Sequence, residues 1–221
     1  MIDLNNAFKK EKGSSGIYII RERIVSELFT CLSGNDYTIV IGNPYIIQTY
    51  VSENNLTILF KSIDSMNTMI PLKDIAMSKA RIEYGAIIRE HVTLNQGVVV
   101  LMGAIINLNV SIDENTMIDM NAVIGSGAII GKRVHIGAGA VIAGMLEPIS
   151  NVGVIIEDDV LVGANAVVLE GVHIKSGAII GAGAIVREDV GENMVMVGIP
   201  AKFIKMREEC ENGIDINFEL H

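Results

Sequence analysis

Across residues 82–186 the chain carries an aliphatic residue at every sixth position, with one interruption. Four residues after each of these positions the side chain is Ala, Val or Thr. The residue before that small one is Gly, Asn or Asp, except at His91 and Arg133. The aliphatic positions are Ile82, Ile88, Leu94, Val100, Ile106, Ile112, Ile118, Ile124, Ile130 and Ile136, followed by Ile156, Val162, Val168, Ile174, Ile180 and Val186.

A period of six predicts strands rather than a helix, because it fits the two-residue alternation of a strand but not a turn of 3.6 residues. Gly, Asn and Asp tolerate positive φ, so one of them per repeat lets the chain turn. Three repeats would close a triangular coil of about 18 residues, and coils would stack about 4.8 Å apart. The pattern therefore predicts a parallel β-helix but leaves its hand open, since ordinary crossovers are right-handed.

The interruption falls between Ile142 and Ile156, which are 14 residues apart rather than six or twelve. Residues 143–153 contain Pro148 and are predicted to leave the solenoid as a loop. Loops that a regular scaffold does not need often carry function. A neutral insertion is the alternative.

Residues 1–76 lack the repeat and are predicted to form a small α/β cap at the open N-terminal end of the solenoid. Apolar spacing from Ile17 to Leu32 predicts a helix that ends at Gly34. Short strands are predicted at Thr38–Ile41, Ile46–Val51 and Leu56–Phe60, with Gly42-Asn43-Pro44 as a turn between two of them. The β-helix is assigned to residues 77–200, and a tail with a short helix through Glu211 is assigned to residues 201–221.

Composition removes several classes of function. Half of the residues are hydrophobic but only 5% are aromatic, so the chain is rich in aliphatic residues and is not disordered. The longest uncharged stretch, 93–112, carries too many polar side chains for a membrane span. A net charge of −9 without a basic stripe argues against a nucleic-acid partner. Cys31 and Cys210 fit neither a disulfide framework nor a metal site, so we expect no metal and a cytoplasmic protein.

The repeats resemble those of the hexapeptide-repeat acyltransferases, and several longer strings are similar to the tetrahydrodipicolinate N-acetyltransferases within that group. These strings are Ile70–Asp74, Ala80–Glu83, Ile118–Ala122, Val134–Ala140, Glu147–Pro148, Val154–Val160, Gly163–Val167 and Glu170–Val172. The resemblance implies a left-handed parallel β-helix and a homotrimer. It also implies transfer of acetyl from acetyl-CoA to the amine of ring-opened tetrahydrodipicolinate, in lysine biosynthesis through diaminopimelate.

Two carboxylates are the candidates for acid–base catalysis, because acyl transfer to an amine needs a base near the nitrogen. Asp119 and Glu170 lie in strings that resemble those around the proposed catalytic pair of the related succinyltransferases. Counting repeats puts Ile118 on the first face of the prism and Val168 on the third. The pair therefore predicts a site between subunits of a trimer. The alternative is that both are solvated carboxylates at corners.

Four further side chains are candidates for the acceptor site. His135 should point outward, and an imidazole suits proton transfer at neutral pH; other acyltransferases of this group use a His base. Arg89 could grip a substrate carboxylate, with Asn107 one coil above it as a second donor. Glu147, on the loop, could face the substrate or only flank a proline. His91 and His173 are interpreted as structural.

The cofactor site is inferred from small residues and two lysines. With the phase corrected across the loop, Gly125, Ala143, Gly163 and Gly181 are predicted to form one column, a smooth slot beside which a pantetheine arm could lie; Ala164 adjoins it. Glycine could also serve only to ease the corner. The string Gly198–Lys202 resembles the end-of-solenoid motif of these enzymes, which implies that Lys202 and Lys205 face the phosphates of CoA.

Three alternatives to acetyl transfer stay open at this stage. A succinyltransferase would share the site and differ in the donor. A γ-type carbonic anhydrase would need three suitably spaced His ligands for zinc, and the four His of this chain do not occur in such strings. A non-catalytic scaffold would not bind CoA.

Overall fold

The computed structural model describes residues 13–68, 70–145 and 152–210. The chain divides into two compact units, Met1–Pro71 and Leu72–His221. Within the described residues, no helix is both long enough and apolar enough to cross a membrane.

The first unit is a four-stranded antiparallel sheet packed against one helix. Its elements are β1 (Gly13–Ile20), β2 (Thr30–Ser33), β3 (Thr38–Gly42), α1 (Pro44–Glu53) and β4 (Ile58–Thr68), with strand order β2-β3-β1-β4. The core contains Tyr18, Ile20, Val40, Ile47 and Val51, which lie on β1, β3 and α1. The unit is thus α/β, as expected, and the strand at Thr38–Ile41 is confirmed.

Two predictions within this unit are wrong. The segment from Ile17 to Leu32 is not a helix, because residues up to Ile20 form β1, which pairs with both β3 and β4. Apolar side chains lie on both faces of this strand, and that imitates helical spacing. The predicted strand Ile46–Val51 is part of α1, where Pro44 occupies the first turn and the Asn43 side chain accepts a hydrogen bond from the Tyr45 amide.

The second unit is a parallel β-solenoid of about six turns, which confirms the fold expected from the repeats. Seventeen two-residue strands build it. They are β5 (Arg81–Ile82), β6 (Ile87–Ile88), β7 (Thr93–Leu94), β8 (Val99–Val100), β9 (Ile105–Ile106), β10 (Ser111–Ile112), β11 (Met117–Ile118), β12 (Val123–Ile124), β13 (Ile129–Ile130), β14 (His135–Ile136), β15 (Val141–Ile142), β16 (Ile155–Ile156), β17 (Leu161–Val162), β18 (Val167–Val168), β19 (His173–Ile174), β20 (Ile179–Ile180) and β21 (Ile185–Val186).

The strands form three faces of a prism. The first face contains β5, β8, β11, β14, β17 and β20, and β22 (Met194–Val197) continues it. The second face contains β6, β9, β12, β15, β18 and β21, and the third contains β7, β10, β13, β16 and β19. We name the corners by the faces they join: corner 1–2, corner 2–3 and corner 3–1. The second residue of each strand points inward, and side chains such as Ile118 and Ile136 are completely buried.

The predicted turn residues behave as the repeat requires. All of them have positive φ except Asp189, and Asn193 takes a positive φ a few residues later. His91 and Arg133, which depart from the Gly, Asn or Asp pattern, adopt φ of 63° and 54°. The geometry of the coil therefore overrides the steric preference of these two side chains.

The interruption lengthens one coil without breaking the ladder. Val141 pairs with Val167 and His135 with Leu161, 26 residues apart instead of 18. The eight extra residues lie between β15 and β16, and only 143–145 and 152–154 of this segment are described. Glu147 lies outside the described residues.

In the described part of the tail, residues 201–210, most of the expected helix is a strand instead. Residues Lys202–Met206 form β23, which pairs antiparallel with β22, and only a 3-10 turn, Arg207–Glu209, follows. The chain reverses to extend the first face, so its backbone groups are satisfied by the sheet. The Arg207 guanidinium donates to the carbonyl oxygens of Asp159 and Gly177 and ties this end to corner 3–1. Glu211 lies beyond the described residues.

Candidate active site

A histidine and a carboxylate meet at corner 1–2. His135 lies on β14, directly above Met117 on β11, and Asp119 is the next outward position of the lower coil. His135 Nε2 is 3.6 Å from Asp119 Oδ2, and the two side chains are 28% and 19% exposed. The Met120 amide donates to Asp119 Oδ1 at 2.7 Å and holds the carboxylate in place. An imidazole beside a carboxylate is a common arrangement for a general base, because the carboxylate orients the ring and offsets the charge that the ring gains during proton transfer.

Glu170 does not join this pair. Val168 lies on the second face, not on the third as repeat counting predicts, so Glu170 follows it at corner 2–3. Glu170 is also two coils above Asp119, a rise of about 10 Å. The two carboxylates are therefore on different corners of one chain, as predicted, although the face of Val168 was misplaced by the inserted residues.

Arg89 and Asn107 are neighbours at corner 2–3. Arg89 Nη1 donates to Asn107 Oδ1 at 3.1 Å across one coil, which confirms their predicted stacking. The Leu108 amide also donates to Asn107 Oδ1, at 2.8 Å, so the amide oxygen is fixed. The arginine is exposed and keeps further N–H groups for a ligand. Their role in binding substrate stays a prediction.

The predicted single column of small residues is wrong. Gly125 and Ala143 follow β12 and β15 at corner 2–3, whereas Gly163 and Gly181 follow β17 and β20 at corner 1–2. The loop inserts eight residues, and the sequence alone does not show how many of the residues between β15 and β16 belong to the coil and how many to the loop. The residue that shares a column with Gly163 and Gly181 is Gly137, which follows β14.

Close approach between coils explains these glycines of corner 1–2. A Cβ atom on Gly137 would lie 2.7 Å from the Ala164 nitrogen, and one on Gly163 would lie 2.5 Å from the Ala182 nitrogen. No real Cβ tolerates such contacts, so glycine is required here by packing. The close spacing of the coils therefore explains why glycine occupies this column at corner 1–2.

The second residue of corner 1–2 in each coil differs between the upper and the lower part of the solenoid. The upper coils carry only Ala138, Ala164 and Ala182, of which the last two are exposed. The lower coils carry large apolar side chains that are also exposed: Tyr84 (98%), Met102 (48%) and Met120 (43%). The His135–Asp119 pair lies at the boundary between the two stretches. The repeats contain these alanines, but assigning the residues after the loop to the wrong face kept them from being recognised as one column.

Of the two predicted phosphate-binding lysines, Lys202 lies at the upper end of the same corner, whereas Lys205 lies on the first face, where it pairs with Val195 above β20. Lys202 pairs with Val197 in the β22–β23 hairpin, and Val197 is in contact distance of a Cβ built on Gly181. Lys202 is exposed, and Lys205 Nζ donates to the Glu209 carbonyl at 3.3 Å. Corner 1–2 therefore runs from Lys202, along a stretch that carries only glycine and alanine, to the His135–Asp119 pair.

Corner 3–1 is a ladder of charged and polar groups that sequence reasoning did not identify. Arg133 donates to both carboxylate oxygens of Asp159 at 2.7 Å, and this contact lowers the pKa of Asp159 and raises that of Arg133. His173 Nε2 lies 2.7 Å from Glu157 Oε1. Hydrogen bonds from Ser176, followed by the contact with His173, lower the pKa of Glu157. These groups satisfy one another, so His173 has a structural partner, as interpreted from the sequence.

The outward side chains of the second face are all aliphatic. They are Ile87, Ile105, Val123, Val141, Val167 and Ile185. Ile87 and Ile105 are 46% and 42% exposed, and the other four are half-buried. The first face carries Arg81 and His135 at the same position, and the third carries Thr93, Ser111 and His173. The second face is thus the apolar one, and corners 1–2 and 2–3 are its edges.

Among the described residues, no group of three or more His, Cys, Asp or Glu side chains is placed to hold a metal ion.

Comparison with known proteins first gives the class. Residues 109–144 and 153–188 match the family described as bacterial transferase hexapeptide (six repeats). A hexapeptide transferase family protein from Anaplasma phagocytophilum has a similar fold, with a TM-score of 0.52 and 23% identity over 60% of this chain and 78% of that protein. The fold and the repeats are those of a hexapeptide-repeat transferase.

Closer relatives narrow the class. A 2,3,4,5-tetrahydropyridine-2,6-dicarboxylate N-acetyltransferase from Fervidobacterium nodosum is 55% identical over 181 residues, which are 82% of this chain and 73% of that enzyme. An enzyme of the same name from Clostridioides difficile is 46% identical over 95% of this chain and 93% of its own length. The chain belongs to this N-acetyltransferase family, which confirms the resemblance found in the sequence.

Proposed function

We propose that the protein transfers an acetyl group from acetyl-CoA to the amine of ring-opened (S)-2,3,4,5-tetrahydrodipicolinate. The products are L-2-acetamido-6-oxoheptanedioate and CoA, on the diaminopimelate route to lysine in the cytoplasm. The activity for which the relatives are named supports these substrates. The observation that carries the mechanism is the His135–Asp119 contact of 3.6 Å at the lower end of the stretch of corner 1–2 that carries only glycine and alanine.

His135 is the general base in this proposal. Its Nε2 faces Asp119, so Nδ1 is the nitrogen left to take a proton from the attacking amine. The amine nitrogen bonds to the thioester carbonyl carbon, and the C–S bond then breaks. The imidazolium returns the proton to the departing thiolate, which leaves as CoA–SH. Asp119 stabilises the imidazolium between these two steps.

Acetyl-CoA is proposed to lie along corner 1–2. Its phosphates would meet Lys202 and Lys205, and its pantetheine arm would pass Gly181, Gly163 and Ala164 toward His135. The exposed alanines and the absence of longer side chains on this stretch support the path. Gly125 and Ala143 belong to the other edge of the second face, and they can contribute only from a neighbouring subunit.

The active assembly is proposed to be a homotrimer that buries the second face. An aliphatic face flanked by functional corners supports this, because three prisms turned toward a common axis would bury their apolar faces together. A three-fold axis would also place corner 1–2 of one subunit beside corner 2–3 of the next. His135 and Asp119 would then meet Arg89, Asn107, Glu170 and the loop with Glu147 from a sister subunit, where they could bind the diacid.

The test of the function is a thiol-release assay with tetrahydrodipicolinate and either acetyl-CoA or succinyl-CoA. We expect acetyl-CoA to be consumed preferentially and mass spectrometry to identify the acetamido diacid. Preference for succinyl-CoA would make the protein a succinyltransferase. Absence of turnover with both donors, in protein that is folded and trimeric, would refute acyl transfer to this acceptor.

A further inference from the structure

A cavity of about 540 Å³ lies at corner 3–1, beside the first strand of the third face. Its lining includes Lys73, Asp74 and Lys79 from the segment that precedes the first coil, and Leu94, Asn95 and Gln96 from the coil itself. Corner 3–1 is the corner opposite the second face. The cavity is therefore separate from corner 1–2, where His135 and Asp119 meet.

Two lysines that line this cavity, Lys73 and Lys79, have no acidic partner in the part of the chain that the structure describes. Among the described residues, neither Lys73 nor Lys79 forms an ion pair. Glu114 also lines the cavity, and its carboxylate is paired with Lys132 at 3.0 Å. In a chain of net charge −9, two unpaired cations facing one cavity favour an anionic ligand.

The backbone of the cavity offers hydrogen-bond acceptors. On the first face, the carbonyls of Val98 and Val100 accept from the Arg81 and Glu83 amides of the coil below, at 2.8 and 2.9 Å. On the third face, no hydrogen bond from a described residue reaches the equivalent carbonyl of Leu94. The lower edge of the third face is thus open where the cavity begins, and an N–H donor would complete it.

Asp74 adds a carboxylate to the same wall. One of its oxygens, Oδ1, accepts from the Ala76 amide at 2.9 Å, which orders the carboxylate, and no described residue donates a hydrogen bond to its other oxygen. The cavity therefore combines two unpaired lysines with two carboxylates, of which Glu114 is paired with Lys132 and Asp74 is not in an ion pair, and with an open carbonyl. A ligand complementary to this set carries carboxylates and an ammonium group.

We propose that this cavity is a second small-molecule site, for a dicarboxylic amino acid. The carboxylates of the ligand bind Lys73 and Lys79, and its ammonium group binds Asp74 and the carbonyl oxygen of Leu94. The site is independent of acetyl transfer, because it lies on the corner farthest from the apolar second face.

The test is isothermal titration of the full-length protein with L-glutamate, in the presence of saturating CoA so that corner 1–2 is occupied. We expect one saturable site per chain. The Lys73→Met/Lys79→Met variant should bind at least about tenfold more weakly, since charge-assisted hydrogen bonds are worth about 1.5–3 kcal/mol each. Lys175→Met, which removes an exposed lysine from the same corner outside the cavity, is the matched control and should leave affinity unchanged. Glutarate, which lacks the ammonium group, should also bind at least about tenfold more weakly.

Lys79→Met alone covers the case in which the double variant does not fold, because the Lys79 side chain is exposed. It should weaken binding severalfold, with kcat for acetyl transfer unchanged. No saturable binding of glutamate to the unmodified protein, equal affinity in the Lys79→Met variant, or equal affinity for glutarate would each overturn the proposal. None of these results would bear on acetyl transfer at His135.

Discussion

Replacing His135 by Gln removes the proposed base while keeping a polar side chain of similar length on the first face. A positioned general base contributes about 100- to 10,000-fold to rate, so kcat should fall by that factor while the KM for acetyl-CoA changes little. The assay is initial-rate thiol release with acetyl-CoA and tetrahydrodipicolinate. His173→Gln is the matched control, because His173 also contacts a carboxylate, at corner 3–1, and should keep full activity.

The contribution of Asp119 follows from its distance to the imidazole. Opposite unit charges 3.6 Å apart attract by about 1 kcal/mol in water and about 2 kcal/mol at an effective dielectric constant of about 40. Both side chains are partly exposed, so the pair lies in this range. Asp119→Asn should therefore lower kcat by about 5- to 50-fold, less than His135→Gln.

The double variant distinguishes two roles for Asp119. If Asp119 acts through His135, the Asp119→Asn/His135→Gln protein should be no slower than His135→Gln alone. If the two effects multiply, Asp119 acts on the substrate directly and the pair with Glu170 becomes the better mechanism. Retention of more than a tenth of kcat by a folded His135→Gln protein would remove His135 as the base.

Three further predictions concern assembly, stability and the cofactor. Val123→Glu, on the second face, should convert a trimer of 23.8 kDa chains to monomers in light scattering, whereas Ile129→Glu on the third face should not. Because its contact with Arg133 lowers the pKa of Asp159, the pair stabilises the fold above the unfolded pKa near 4, and that stability is lost as the pH falls through the lowered pKa of the folded state. Urea unfolding of Asp159→Asn should therefore show a loss of about 0.5–1 kcal/mol at pH 7 that shrinks as the pH falls below about 4. Lys202→Glu should raise the KM for acetyl-CoA about tenfold with kcat unchanged, and an unchanged KM would remove this lysine from the phosphate site.

Prediction from local sequence patterns was wrong where the spacing of apolar residues fits both a helix and a strand. Ile17 and Ile20 fit a helical stripe, but they lie on opposite faces of a strand whose partners, β3 and β4, are distant in the sequence. Pairing with distant segments overrode the local pattern, as it commonly does for short apolar runs. The Asn43-Pro44 pair, by contrast, is a typical helix start, with Asn as the N-cap and Pro in the first turn, and the prediction of a turn between two strands was wrong here.

The His135–Asp119 contact could have been found from the repeat. A coil of 18 residues stacks residue 135 on residue 117, and residue 119 is the next outward position, so both side chains must lie on one patch of the surface. No loop intervenes between them. The position of Glu170 relative to His135 and Asp119 could not be predicted in the same way, because the loop after β15 separates Glu170 from both residues in the sequence.

The sequence by itself determined the solenoid, since a six-residue period admits only short strands and corners, and the turn positions that depart from the pattern still take the required φ. It also predicts which residues of successive coils are neighbours wherever no insertion intervenes, as for His135 and Asp119. Only the tertiary structure decided which face and corner the residues after the loop occupy. The physical reason is that inserted residues which leave the prism add nothing to its winding, and a sequence does not mark which residues those are.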